Sequence, residues 1–289
     1  MLFVSCRRDF TSDRLFADDL LIRDYPNVAD ITRFTDLGVD ALLRRAEGRH
    51  VIVLVHGYRN PFKNVAPAYG DVARNLMQHN LLDESVEGAT SHYGLLIAFA
   101  WPGFTTRTLG FFAARPWANR SADYLQRLIG TVRRAARSVD IQTHSLGAQV
   151  ALQALTTDNT LWVDNLMLTA PAVDNECLQP GEDFHESLDN CNRVFVYHSK
   201  HDPVLKTYIV ASFDRALGSR GPQDSDITLE QCRNVYVIDC QEPVREHSDY
   251  RKTPEYFRHW TRVLDNEPLD RYEAILGVPA AGVDLTLGV

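Results

Sequence analysis

The sequence lacks most of the features that would place it in a specialised class. Its 289 residues include five cysteines, at positions 6, 177, 191, 232 and 240, an odd number with no C-x-x-C pair. That pattern argues against a disulfide framework and offers no structural zinc site. Cys232 and Cys240 bracket one expected strand, which sets their side chains too far apart to bridge. Lysine is scarce: positions 63, 200, 206 and 252 are the only lysines among 30 basic residues. The arginine excess reads as coding bias before it reads as phosphate recognition. No window approaches 18 consecutive apolar residues, so no spanning helix is expected. Met1 to Asp9 shows no basic leader followed by an apolar run, and together with the unpaired cysteines this gives an expected cytoplasmic location. No repeat, charge run or Gly/Ser linker marks a domain border.

What is present points to one large folded domain. Apolar residues make up 45% and charged residues 24%, too much core and too little charge for disorder. The formal net charge of −8 argues against a nucleic-acid partner. Along the chain, short β-branched runs alternate with helical patterns. Strands are expected at 49–55, 93–100, 139–143, 164–169, 193–198 and 234–239. Helices are expected at 36–47 (closed by Gly48), 65–79, 119–137, 146–155, 204–217 and 254–264. Strands apolar on both faces and separated by helices predict a three-layer α/β/α sandwich with a mostly parallel central sheet. Two weaker stretches, 2–5 and 28–34, would add antiparallel strands at the start. The expected plan is one domain, 1–289, with a catalytic core at about 49–265. An N-terminal arm (1–36), an aromatic lid-like loop (102–118) and a C-terminal tail (266–289) complete it.

In such sheets the ligand lies beyond the C-terminal ends of the strands. There the sequence places Ile141-Gln142-Thr143-His144-Ser145-Leu146-Gly147-Ala148. A strand runs directly into Ser145 and a helix begins at once, the sharp turn that exposes a nucleophilic serine above a sheet. Gly147 lets strand and helix approach, and the helix N-terminus offers N–H groups to an oxyanion. Thr143 occupies the place of the first glycine in the G-x-S-x-G form. The plainer alternative is that Ser145 only caps the helix. His56-Gly57-Tyr58 follows the first buried strand, and the oxyanion hole is assigned to the N–H groups of Tyr58 and Leu146. His56 is read as orienting that loop.

Chain order Ser, Asp, His puts the acid at Asp202, in the loop Ser199 to Pro203, and the base at His247. Asp202 also suits the N-cap of the helix that follows, and Asp174 is the alternative acid. His198, His201 and Asp202 do not make a convincing metal set, and no metal or cofactor is called for. Trp101, Phe104, Phe111 and Phe112 are read as a substrate-pocket wall or lid. A membrane-docking variant of that reading adds Leu109 and Trp117, and a buried loop is the plain alternative. The partner expected is a small acyl substrate. A histidine base must be neutral to act, so activity is expected to fall in acid.

These residues together resemble the α/β-hydrolase superfamily over about residues 49 to 265. More narrowly, the chain is similar to a bacterial group of α/β hydrolases of unknown function. That group shares a His-Gly-Tyr loop (56–58), a strand ending in Trp-Pro (101–102) and a His-Ser-x-Gly elbow (144–147). It also shares Ala-Pro-x-Val-Asp (170–174) and a late His-x-x-Tyr (247–250). The resemblance implies a Ser-His-Asp hydrolase without naming its substrate. The expectation is a serine hydrolase cleaving a carboxylic ester. Thioester or amide cleavage on the same triad, and a non-catalytic binding scaffold, are the alternatives.

Overall fold

A computed structural model describes the chain apart from residues 14, 86–91, 104–110, 158–159, 209–213 and 278–289, and the side chain of Phe112. The strongest apolar runs become the centre of one sheet. β4 (His50–Val55), β5 (Tyr93–Ala100), β6 (Ser138–His144), β7 (Val163–Thr169), β8 (Cys191–His198) and β9 (Val235–Asp239) pair in parallel. Every residue of β5 is buried, as a strand covered on both faces requires. Before them come β1 (Leu2–Arg7), β2 (Phe16–Asp24) and β3 (Thr35–Leu37); β10 (Tyr272–Ala274) follows near the chain's end. Among the described residues the sheet order is β10-β9-β8-β7-β6-β4-β5-β1-β2-β3.

Two of the sequence expectations at the N-terminal end are corrected. β1 joins β5 in parallel and meets β2 antiparallel, so Leu2–Arg7 and Phe16–Asp24 are part of the sheet and not an arm laid over it. Residues 28–34 form no strand; the third strand begins at Thr35, where an early helix was expected. Helix α1 (Val39–Ala46) is shorter for that reason, and Gly48 just beyond it takes φ 66°.

The other helices are α2 (Phe62–Gln78), α3 (Phe111–Val132), α4 (Gly147–Thr156), α5 (Pro203–Lys206), α6 (Leu217–Arg220), α7 (Ser225–Gln231) and α8 (Pro254–Leu264). α3 and α4 pack side by side, with α1 against α3. α2 and α8 meet on the other side, where Phe257 stacks on His79 at 5.5 Å. α8 buries Tyr256, Phe257, Trp260 and Val263, one face of a 3.6-residue period. Trp260 Nε1 donates to Tyr93 Oη at 3.0 Å, and that hydroxyl donates to Asp140 at 2.6 Å beneath the sheet.

Two helix expectations fail. Residues 111–118, expected in a loop, are the first two turns of α3, with Pro116 inside them. The single helix expected at 204–217 is broken among the described residues: α5 ends at Lys206, Asp214 to Ala216 are not helical and α6 begins at Leu217, while 209–213 lie outside the described residues. Asp174, in the loop after β7, bridges to Ala216 and accepts from the Tyr208 hydroxyl at 2.7 Å.

Buried histidines make the fold acid-sensitive. Burial pushes His198 and His259 down to about 4, so both are neutral in the folded chain. The unfolded chain takes up these protons first, so their contribution is present above about pH 6.5 and is lost as pH falls toward 4. Each loss is on the order of 3 kcal/mol. Asp140, pushed up to about 6 by burial, works oppositely, since its protonation on acidification relieves a buried charge. With buried, lowered histidines outnumbering this carboxyl, the urea midpoint is expected to drop between pH 7 and pH 4. His198→Gln and His259→Gln should each flatten that drop, and an equally steep drop in both variants would refute the assignment.

Candidate active site

The C-terminal ends of the parallel strands finish nearly level, and the loops beyond them build one cavity of about 480 Å³. At the end of β6 the chain turns abruptly into α4, and Ser145 sits at the turn with φ 56°. A non-glycine residue in that left-handed region is uncommon and is held by its surroundings. Ser145 N–H donates to Thr169 O at 3.0 Å, and its carbonyl accepts from Ala148 and Ala172 at 3.0 and 3.2 Å. Thr143, in place of a glycine, is fully buried, and its hydroxyl reaches Met167 O of β7 at 3.4 Å. The larger residue is therefore accommodated within the sheet.

Two glycines permit the close approach. A Cβ on Gly147 would lie 2.5 Å from Val55 O and 2.7 Å from His56 O, so α4 starts directly against the end of β4. A Cβ on Gly57 would lie 2.8 Å from Ser145 Cβ. Only glycine at these positions lets the loop after β4 pass beside the serine. Leu146, assigned to the oxyanion hole with Tyr58, is the N-cap residue of α4 and is fully buried. Tyr58 lines the cavity beside Ser145.

Asp202 and His247 meet. Asp202, 1% exposed, places Oδ2 2.6 Å from His247 Nδ1. Its other oxygen, Oδ1, accepts from the N–H groups of Val204 and Leu205 at 2.9 and 3.1 Å. The two sequence readings of Asp202, helix cap and histidine partner, are thus both present, one on each oxygen. Because a carboxylate only accepts, His247 carries its proton on Nδ1 and leaves Nε2 free to accept. His247 and Ser145 line the same cavity. The alternative acid Asp174 is engaged elsewhere, with Tyr208 and, at 3.5 Å, with Arg115. No group of three or more His, Cys, Asp or Glu able to hold a metal occurs among the described residues.

Two supports carried no signal strong enough to find in the sequence. His144 Nε2–H donates to His247 O at 2.8 Å, so the neighbour of Ser145 holds the loop of His247. Burial, with His247 adding to it, lowers His144 to about 3 and keeps it neutral although its edge reaches the cavity. Arg7, fully buried at the end of β1, places Nη2 3.3 Å from His56 Nε2 and donates to Asn60 O at 2.8 Å. Asp13 balances its charge at 2.5 Å. His56 Nε2 accepts from Trp101 N–H at 3.1 Å, so its proton lies on Nδ1, which donates to Gly57 O at 2.6 Å. Burial first, then the Arg7 charge, holds His56 well below the usual histidine range. The expectation that His56 orients this loop agrees with these contacts.

The aromatic wall is not as expected. Trp101 is fully buried beneath the loop after β4: its ring stacks on His56 at 5.4 Å and its Nε1 donates to His56 O at 2.7 Å. It does not line the cavity, because the end of β5 directs it under the loop. Phe111, 8% exposed, packs edge-on against Tyr58 and Tyr208, which leaves it little surface for docking on a membrane. Phe104 and Leu109 lie outside the described residues, as does the Phe112 side chain. Trp117 is 37% exposed on α3. The cavity's apolar wall comes instead from α2, through Val65, Ala68 and Val72. No described helix is long and apolar enough to cross a membrane.

No curated protein matches the chain. Among solved structures it is similar to an esterase from Pyrococcus furiosus, with 13% identity, a TM-score of 0.43 and 85% of this chain and 86% of that one covered. It is also similar to a protein of unknown function from Agrobacterium tumefaciens, with 12% identity, a TM-score of 0.40 and coverage of 87% and 95%. The model of the family described as alpha/beta hydrolase of unknown function (DUF900) matches residues 35–257. With its mostly parallel sheet and the elbow at Ser145, the chain belongs to this family of alpha/beta hydrolases.

Proposed function

We propose that the protein is a serine hydrolase that cleaves a carboxylic ester through an acyl-enzyme. The observation that carries this reading is the 2.6 Å contact of Asp202 with His247 Nδ1, on a cavity that Ser145 shares. Ser145 Oγ attacks the ester carbonyl carbon while its proton passes to His247 Nε2. Asp202 holds the imidazole in the tautomer that can accept this proton and stabilises the imidazolium that results. The tetrahedral oxyanion is held by the N–H groups of Tyr58 and Leu146, the latter at the positive end of α4. As the C–O bond breaks, His247 returns the proton to the departing alcohol. Water then attacks the acyl-enzyme by the same route, and Ser145 is regenerated. A thioester or amide would follow the same steps with a different leaving group.

The test is covalent labelling with a fluorophosphonate, read by intact mass. The wild type is expected to gain one phosphonyl adduct per chain, and Ser145→Ala none. A folded wild type that stays unlabelled, or equal labelling of Ser145→Ala, would overturn the reading and favour a binding scaffold. A panel of matched esters, thioesters and amides then orders the leaving groups.

A further inference from the structure

The lining of the cavity differs in sign from the rest of the chain. The protein carries a formal net charge of −8, yet among the described residues no aspartate or glutamate side chain lines the cavity. Asp202 is buried behind His247. Two arginines do line it: Arg59, on the loop after β4, and Arg251, in the short helical turn Asp249–Lys252 beyond His247. Among the described residues neither guanidinium forms an ion pair or donates a hydrogen bond. Arg59 is held at φ 60°, its N–H donating to Gly103 O at 2.7 Å. The Arg251 charge lies close enough to His144, next to the nucleophile, to help keep that ring neutral.

Tyr250, 2% exposed, also lines the cavity, but its hydroxyl is buried and not presented to it. Across from these groups, α2 supplies an apolar wall of Val65, Ala68 and Val72.

We infer that the substrate is an amphiphilic ester bearing an acidic group, a carboxylate or a phosphate. Its apolar part seats against α2 and its anion is held by Arg59 and Arg251. Guanidinium groups suit this role, since they stay charged and bind such anions with paired N–H donors. The inference rests on the serine-hydrolase reading, but the site's affinity for an anion can be measured apart from turnover.

The binding arm uses octyl phosphate and the Ser145→Ala protein, titrated by calorimetry. Adding Arg59→Gln and Arg251→Gln is expected to weaken Kd about tenfold or more, and salt to weaken it for the parent. No saturable binding to octyl phosphate or to phosphatidic acid vesicles, or a Kd unchanged by the double substitution, would overturn the proposal. The catalytic arm compares p-nitrophenyl hydrogen suberate with p-nitrophenyl octanoate. The wild type is expected to favour the anionic ester in kcat/KM by about tenfold, chiefly through KM, and the double variant to lose that preference. Equal use of both esters by the wild type would also overturn it. Vesicles of phosphatidylcholine with and without phosphatidic acid separate the sources. Binding to soluble octyl phosphate assigns a free anion, binding only to phosphatidic acid vesicles assigns a lipid headgroup, and binding to neither counts against the inference. Anion binding without fluorophosphonate labelling would sink the hydrolase reading alone. Labelling without anion preference would sink this inference alone.

Discussion

Asp202→Asn is expected to lower kcat about 10⁴-fold while leaving the thermal midpoint within a few degrees of the wild type. The two oxygens of Asp202 do different work. Oδ1 caps α5 through Val204 and Leu205, a role an amide oxygen can keep. Oδ2 accepts from His247 Nδ1, and there an amide would present N–H to N–H. The imidazole would escape that clash by moving its proton to Nε2, and it could then no longer accept from Ser145. Asp202→Ala removes both roles. It is expected to match the loss of rate and also to cost about 1–3 kcal/mol, from the missing cap and a histidine N–H left without its acceptor. Stopped-flow labelling with a fluorophosphonate and differential scanning calorimetry separate the two effects. If Asp202→Asn labels within tenfold of the wild-type rate, Asp202 is a helix cap and nothing more.

Gly147→Ala is expected to destabilise the chain by about 3 kcal/mol or more. The added Cβ would meet the carbonyl oxygens of Val55 and His56 at 2.5 and 2.7 Å. Those are backbone atoms of the central strand β4 and of the loop after it, so no side chain can swing aside to make room. α4 would have to lift from the sheet and take Leu146 with it. Both stability and serine reactivity should therefore fall together. Gly38→Ala, where nothing lies within 4 Å of the added carbon, is the matched control and should cost no more than about 1 kcal/mol. A Gly147→Ala protein as stable as the control would mean that the contact between β4 and α4 is looser than described.

What could be read from the sequence follows from which forces act locally. β5 and α8 appear with the bounds the sequence predicts, because an unbroken apolar run and a clean 3.6-residue stripe leave few alternatives. The Ser145 turn was legible because a strand, a serine and a small-residue helix leave no room for a loop. Asp202 and His247 were legible only by chain order, since 45 residues separate them. The start of α3 was missed because Pro116 and its aromatic neighbours read as a break. The helix absorbs that proline at the loss of one backbone bond. The break before α6 escapes the sequence because local pattern cannot register that Ala216 is held by Asp174. The side of the loop that Trp101 takes is not legible, because sequence gives no hint that its indole stacks under His56. Arg7 had no motif to mark it; its importance exists only once β1 lies beside β5.

The five cysteines have a practical consequence. All are free thiols and all are buried, and burial raises Cys6 to about 12 and moves Cys177, Cys191 and Cys240 upward as well. A thiol that stays protonated and out of solvent is a poor nucleophile and a poor target for oxidants. The folded molecule therefore presents almost no sulfur chemistry to its surroundings. An electrophile that forms a covalent adduct under native conditions has few competing sites, which makes the chain a quiet background for discovering hydroxyl-directed inhibitors.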